Sequence, residues 1–249
     1  SPLPQFTAWR CCLWERACPA KRPVQATAGS RQLVIQLLVL PAVIARQDQV
    51  QGNGHDSAQG DALCWIVDPI DGTFNFAAGL TLFGVMLAVV SKGETVAGVI
   101  YDPIGNDWAL CEKGSGAWLY RTDGSQEQMF MRPSGPLEQM IGIANTGFFD
   151  LEMRRKILSN LAEVRLFTSY RCAAHEYRLL GQGHMDFAMY NKLMPWDHLG
   201  GALMMQEAGA HVARFDGSPY LPHHTSGGLL VAADEDAWQE LRERIFTVD

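Results

Sequence analysis

The sequence predicts a layered α/β protein of the α+β kind, and three observations carry that expectation. Between Leu63 and Tyr120, short apolar and β-branched runs follow one another with turn residues between them, the pattern of an antiparallel sheet. Between Leu151 and Ile245, apolar residues at helical spacing alternate with short apolar strands, as when helices cover a sheet. Of 249 residues, 47% are hydrophobic and 19% charged, a globular composition sufficient for one large domain or two small ones.

Taken in order, residues 1–60 stand apart as an atypical amino-terminal segment. Arg10, Arg16, Lys21, Arg22, Arg31 and Arg46 face only Glu15, Asp48 and Asp56, a net +3 that leaves −10 for the remainder of a chain whose total is −7. An acid-poor, arginine-rich leader suits an organelle transit peptide. An out-of-frame upstream stretch would look the same, and is the reading favoured here. Leu33 to Ala45 is apolar except for Gln36 and contains Pro41. It is shorter than the roughly 20 residues a membrane span needs, so a buried helix or strand is expected and no membrane association. Ser1 is not methionine, which leaves the start of the natural chain open. Gln49 to Asp61, with three glycines, reads as a loop.

From residue 61 the chain is regular and divides into a first half, 61–140, and a second, 141–249. Leu63 to Val67 is a strand. Phe83 to Val90 and Thr95 to Tyr101 form a hairpin across Ser91-Lys92-Gly93-Glu94. Asp107 to Glu112 and Gly116 to Tyr120 extend the antiparallel run, whose two faces can differ in burial. Residues 121–136, polar with glycine and proline, read as a surface connection. Ile141 to Asn145 is a strand. Leu151 to Val164 is a helix, with Met153, Ile157, Leu158 and Leu161 on one face. Arg165 to Thr168 is a short strand, Ala173 to Leu180 a helix and Met185 to Met189 a strand. A helix carrying Ala202, Leu203, Met205 and Ala208 follows, with Asp197 as its N-cap and Gly209 as its stop signal. Ala210 to Phe215 and Leu229 to Ala232 are late strands, and Asp234 to Ile245 closes the chain as a helix.

Chemistry concentrates at Trp65-Ile66-Val67-Asp68-Pro69-Ile70-Asp71-Gly72-Thr73. Here an apolar strand ends in a carboxylate. Pro69, which fixes φ and has no N–H, should stop the ladder. Asp71-Gly72-Thr73 reads as a turn, with Thr73 able to cap a following helix. Two carboxylates, a hydroxyl and free backbone N–H groups at one strand end suit a hard divalent cation beside a phosphate. The same residues are also ordinary at a strand-to-turn corner. A second stretch, Pro195-Trp196-Asp197-His198-Leu199-Gly200-Gly201, precedes the apolar run ending Glu207-Ala208-Gly209-Ala210.

Asp-Pro-Ile-Asp-Gly-Thr followed over a hundred residues later by Trp-Asp-x-x-x-Gly resembles the inositol monophosphatase family of metal-dependent, lithium-sensitive phosphatases. The resemblance covers roughly Leu63 to the C-terminus, and includes Arg171 to Tyr190. It implies an α-β-α-β-α sandwich, Mg²⁺ as cofactor and a homodimer. It implies that Asp68 bridges metals, that Asp71 and Asp197 bind a second ion, and that Ile70 contributes its backbone carbonyl. Thr73 would contact the attacking water and a metal, which with Asp68 makes up the catalytic pair. Substrate contacts would come from Asp71, Gly72, Thr73, Ala173, Tyr190 and Asp197, with the amides of Gly72 and Thr73 on phosphate oxygens.

Two departures qualify the resemblance. The family places a Gly-Glu-Glu or similar segment some twenty residues before the first Asp, and its glutamate ligates the first metal. Here no glutamate occurs between Glu15 and Glu94. Asp56, in Gly54-His55-Asp56, is the best-placed substitute, though one methylene shorter. Tyr190 falls where inositol-phosphate enzymes of the family often carry a sugar-binding glutamate, so the substrate could be another small phosphate ester.

Composition excludes other classes. A net charge of −7 argues against a nucleic-acid binder that works by general phosphate attraction. Six cysteines without CxxC spacing read as reduced thiols of a cytoplasmic protein, not a zinc site. His223-His224 reads as a surface loop, Met204-Met205 as core, and Ser115-Gly116 lacks a nucleophile-elbow context. The expected function is Mg²⁺-dependent hydrolysis of a small phosphorylated polyol, sugar, nucleotide or amino alcohol. One rival is a catalytically impaired relative that keeps the fold as a binding protein. Another is a two-carboxylate glycosidase, disfavoured because Asp68 and Asp71 are too close in sequence to flank a glycosidic bond readily.

Overall fold

The computed structural model describes residues 64–246. Their first half is one antiparallel meander of six strands in chain order: β1 (Cys64–Asp71), β2 (Gly84–Ser91), β3 (Glu94–Asp102), β4 (Asp107–Glu112), β5 (Ala117–Arg121) and β6 (Gln126–Gln128). A short helix, α1 (Thr73–Ala77), sits between β1 and β2. The β2–β3 hairpin turns on Lys92 and Gly93, both at positive φ (51° and 78°). That two-residue turn matches the right-handed twist of the flanking strands.

The second half builds a five-stranded sheet from β7 (Ile141–Asn145), β8 (Leu166–Thr168), β9 (Phe187–Tyr190), β10 (His211–Ala213) and β11 (Leu229–Ala232). Its order is β10-β11-β9-β7-β8, with β7 parallel to β8 and β9 and the remaining pairs antiparallel. The helices are α2 (Leu151–Asn160), α3 (Ala173–Gly181), α4 (Pro195–Glu207) and α5 (Glu235–Leu241). Packed between the sheets are α3 and α4, in a core with Met86, Ile100, Tyr177, Leu199, Met204 and Leu229. A second core, around Leu161, Phe187, Leu230 and Trp238, lies under α2 and α5 on the far face of the five-stranded sheet. The described residues thus form sheet, helices, sheet, helices. The remaining helical layer implied by the resemblance lies outside them.

Helix α4 is buried continuously from His198 to Met205, as expected of a helix apolar nearly all round. Two glycines let it approach its neighbours. A Cβ on Gly98 of β3 would lie 2.7 Å from the Gly200 carbonyl oxygen, and one on Gly201 would strike the Tyr177 ring at 2.1 Å. Arg178 of α3 bonds Asp107 of β4 at 2.6 Å, tying the helical layer to the first sheet.

Several local expectations change. Pro69 does not end β1, because the strand absorbs it in a bulge and continues to Asp71. Thr73 is not a cap; Gly72 precedes the helix and no side chain caps it. Asp197 is not the N-cap either. Pro195 takes the first helical position, where its missing N–H costs nothing, and Asp197 becomes the third residue. Residues 121–136 are not only a surface connection, since they contain β6 and bury Met129 and Met131. The expected helix to Val164 ends in a 3₁₀ turn (Leu161–Glu163), and the closing helix in a π-type turn (Arg242–Phe246). Among the described residues no helix is long and apolar enough to cross a membrane.

Gly98→Ala, which places a methyl against the α4 backbone, is expected to cost about 2 kcal/mol by overpacking. Thermal denaturation should show a loss of roughly 4–8 °C with little change in far-ultraviolet circular dichroism.

Candidate metal centre and active site

In a regular strand, residues three apart point to opposite faces, so Asp68 and Asp71 should diverge. The bulge brings them together: Asp68 pairs with Met86 and Asp71 with Gly84, so three steps on β1 match two on β2. An inserted residue re-aims the side chains around it. Pro69, which has no N–H to lose from a ladder, is well suited to that place. Gly72 then adopts φ 80°, and a Cβ there would lie 2.9 Å from the Leu82 carbonyl oxygen and 3.0 Å from Cys172 Cβ. Both backbone shape and close approach therefore require glycine.

The third carboxylate arrives from the other motif. Asp197 lies in the first turn of α4, where the helix dipole favours negative charge. One carboxylate oxygen from each of Asp68, Asp71 and Asp197 lies within 4.8 Å of the other two. Asp71, 8% exposed, is held by α3: its Oδ2 accepts the Ala174 N–H at 2.6 Å and the Cys172 thiol at 3.1 Å. Asp68 Oδ1 accepts the Ile70 N–H at 2.9 Å.

Burial pushes the Asp71 carboxyl up to about 6, against the hydrogen bonds from Ala174 and Cys172 and with help from the Asp68 charge. Asp197 is raised by burial first and then by Asp71 and Asp68. Asp68 is also raised by burial, which outweighs its bonds to Ile70 and Asp197. Three carboxylates this close cannot all ionise unaided. A divalent cation would reverse the balance, and a donor set made only of oxygen fits a hard ion such as Mg²⁺. The Cys172 thiol is held protonated, its pKa driven far up by burial, so it offers no thiolate for a softer metal.

The other anticipated residues fall as follows. Thr73 begins α1 and is exposed. Ala173 begins α3 and is buried. Tyr190 ends β9 at 3% exposure, its ring 4.5 Å from His198 and 5.4 Å from Tyr177. Asp56 lies outside the described residues. Sequence reading missed the grip of Ala174 and Cys172 on Asp71. It also missed two buried polar residues beside the site, Asn75 and Glu176. Asn75 carried one weak signal, a polar residue between two phenylalanines, and Glu176, beside His175 and near Arg178, carried none.

Residues 32–247 match the model of the inositol monophosphatase family. The chain belongs to that family. The match begins ahead of Leu63, where the resemblance was read, in residues outside those described. A fructose-1,6-bisphosphatase/inositol-1-monophosphatase from Thermotoga maritima is 34% identical over 64% of this chain and 59% of its own. An inositol-1-monophosphatase from Caulobacter vibrioides is 32% identical over 73% of this chain and 70% of its own. The chain thus spans about three fifths of the first relative's length. Among solved structures, the extragenic suppressor protein suhB from Bartonella henselae superimposes with a TM-score of 0.64 at 29% identity, covering 74% of this chain and 73% of its own. Inositol monophosphatase-II from Staphylococcus aureus gives 0.68 at 26% identity, covering 78% and 71%.

Asp71's folded-state pKa lies above its unfolded value. The metal-free protein therefore binds more protons than the unfolded chain between about pH 4 and 6, and loses stability as pH rises through that window. The expected loss from this group is about 3 kcal/mol. Melting temperature in chelator should fall from pH 4.5 to pH 7, and excess Mg²⁺ should raise it more at pH 7 than at pH 4.5, because ligands must deprotonate to bind.

Proposed function

We propose that this family member is a Mg²⁺-dependent phosphatase that hydrolyses a small phosphate monoester, the ester of a sugar, polyol, nucleotide or amino alcohol. The observation that carries the reading is the convergence of Asp68, Asp71 and Asp197 from two motifs over a hundred residues apart. The names of relatives point the same way, since the Thermotoga maritima protein is called a fructose-1,6-bisphosphatase/inositol-1-monophosphatase.

Bound Mg²⁺ supplies Lewis acidity, which makes water a stronger nucleophile and takes up charge on the leaving oxygen. The chain's own residues do the rest. Asp68, Asp71, Asp197 and the Ile70 carbonyl hold the cation. The Thr73 hydroxyl positions the attacking water, and the amides of Gly72 and Thr73 hold phosphate oxygens. Ala173 and Tyr190 border the leaving group, and Asp56 is the substitute for the family's glutamate. Phosphoryl transfer needs little covalent chemistry from a protein, so positioning and charge carry most of the catalysis. A homodimer in the cytoplasm completes the reading.

A second reading has its own motive: no glutamate stands between Glu15 and Glu94, and loss of a ligand would leave a folded binding protein. Phosphate release from a panel of monoesters, with Mg²⁺ and with chelator, separates the two. The phosphatase reading expects turnover that vanishes in chelator; none from any ester by a folded, Mg²⁺-binding protein favours the binding protein. Asp68→Asn and Asp197→Asn should each cut kcat/KM by more than about a hundredfold, since outer-shell partners alone cost 10–100-fold. Both should keep or raise the melting temperature of the metal-free protein, because each removes a repelling charge.

A further inference from the structure

The segment 169–171 passes the site between α1 and α3 and is gripped on both sides of one residue. The Tyr170 N–H donates to Glu176 Oε1 at 2.9 Å, and the Tyr170 carbonyl accepts from Asn75 Nδ2 at 2.7 Å. Glu176 and Asn75 are 1% and 3% exposed, so neither readily exchanges its partner for water. Asn145 Nδ2 donates to Glu176 Oε2 at 2.9 Å, and the Ser169 hydroxyl donates to Asn145 Oδ1. The second N–H of Asn75 reaches the Leu82 carbonyl at 2.9 Å.

What this clamp holds is Arg171, at φ 54°. Among the described residues, the two other non-glycine residues at positive φ, Lys92 and Asn106, lie in hairpin turns that demand it. Arg171 instead precedes a helix, and its left-handed backbone is imposed by packing on either side. A strained residue held this firmly beside a site is a candidate for function. Its guanidinium carbon lies 3.5 Å from the centroid of the Phe74 ring, and Phe74 follows Thr73 directly. On its other side, Cys172 touches Asp71. Arg171 is exposed and makes no ion pair among the described residues.

A guanidinium lying over an aromatic ring still has N–H donors to offer and loses little freedom when a carboxylate or phosphate docks. Lys192 repeats the arrangement nearby: its ammonium lies 5.3 Å from the Phe148 ring centroid, and its charge is felt at Asp197. A neutral polyol would offer these cations only hydroxyl acceptors, weaker partners than a carboxylate or phosphate. On the phosphatase reading above, we infer that Arg171 is a specificity-determining residue that binds a second anionic group, carboxylate or phosphate, on the leaving-group part of the substrate.

Two matched pairs of probes test this: glycerol 3-phosphate with 3-phosphoglycerate for a carboxylate, and glucose 6-phosphate with glucose 1,6-bisphosphate for a phosphate. The variant is Arg171→Gly, since glycine accepts the left-handed backbone without strain and should fold with an equal or higher melting temperature. The wild-type protein should favour the doubly anionic member of at least one pair. Arg171→Gly should lower that preference, as a ratio of kcat/KM, by about tenfold or more through KM, the scale of one charge-assisted contact. Arg171→Lys should recover part of it. A ratio unchanged in Arg171→Gly overturns the assignment. So does an equal fall on both members of each pair, which would place the guanidinium on the scissile phosphate. Absence of Mg²⁺-dependent release from every probe by the wild-type protein overturns the phosphatase reading instead.

Discussion

Three carboxylates held within 4.8 Å of one another in a partly buried place constrain everything around them. Left alone they repel, and burial raises the pKa of each. A fold does not keep such a cluster for stability, because unpaired buried charge is among the more costly things a protein can hold. The surrounding structure is arranged to impose it. The bulge in β1 turns Asp68 and Asp71 to one side, the start of α3 grips Asp71 through Ala174 and Cys172, and two glycine contacts seat α4 so that Asp197 faces them. A divalent cation would turn this destabilising arrangement into a stabilising one.

Much of this was legible in the residues. Asp68 and Asp71 could be picked out because carboxylates beside Pro, Gly and Thr at a strand end are oxygen ligands with turn chemistry around them, whereas Asp197 reads locally as a helix cap and joins them only through the resemblance of its motif to the family's. The sheet meander was legible too, since apolar runs with short turn signals between them leave few alternatives. Strands such as Asp107–Glu112, Ile141–Asn145 and Leu229–Ala232 begin and end where their composition changes.

What escaped the sequence has physical causes. Pro69 ends a strand by local rules, but a bulge satisfies the same lack of an N–H while the ladder continues past it. Asp197 looks like a cap until Pro195 claims the first helical position. Met129 and Met131 follow the polar residues 121–128, and their burial comes from partners distant in sequence: a Cβ on Gly181 would meet the Met129 methyl at 2.5 Å, and the Met131 N–H donates to the Ala208 carbonyl at 2.9 Å. Asn75, Glu176 and Arg171 are joined by hydrogen bonds and packing across long separations, which no local period encodes. They sit where local propensity and final structure disagree, and that is where function is usually found.

The most direct test of the central claim is anomalous diffraction from crystals grown with Mn²⁺ as a stand-in for Mg²⁺. The expected result is a strong peak bonded to oxygens of Asp68, Asp71 and Asp197 at about 2.0–2.2 Å, close to the distances of a small octahedral cation, and lost in Asp197→Asn. A peak elsewhere, or no peak at the three carboxylates in millimolar Mn²⁺ at pH 8, would contradict it.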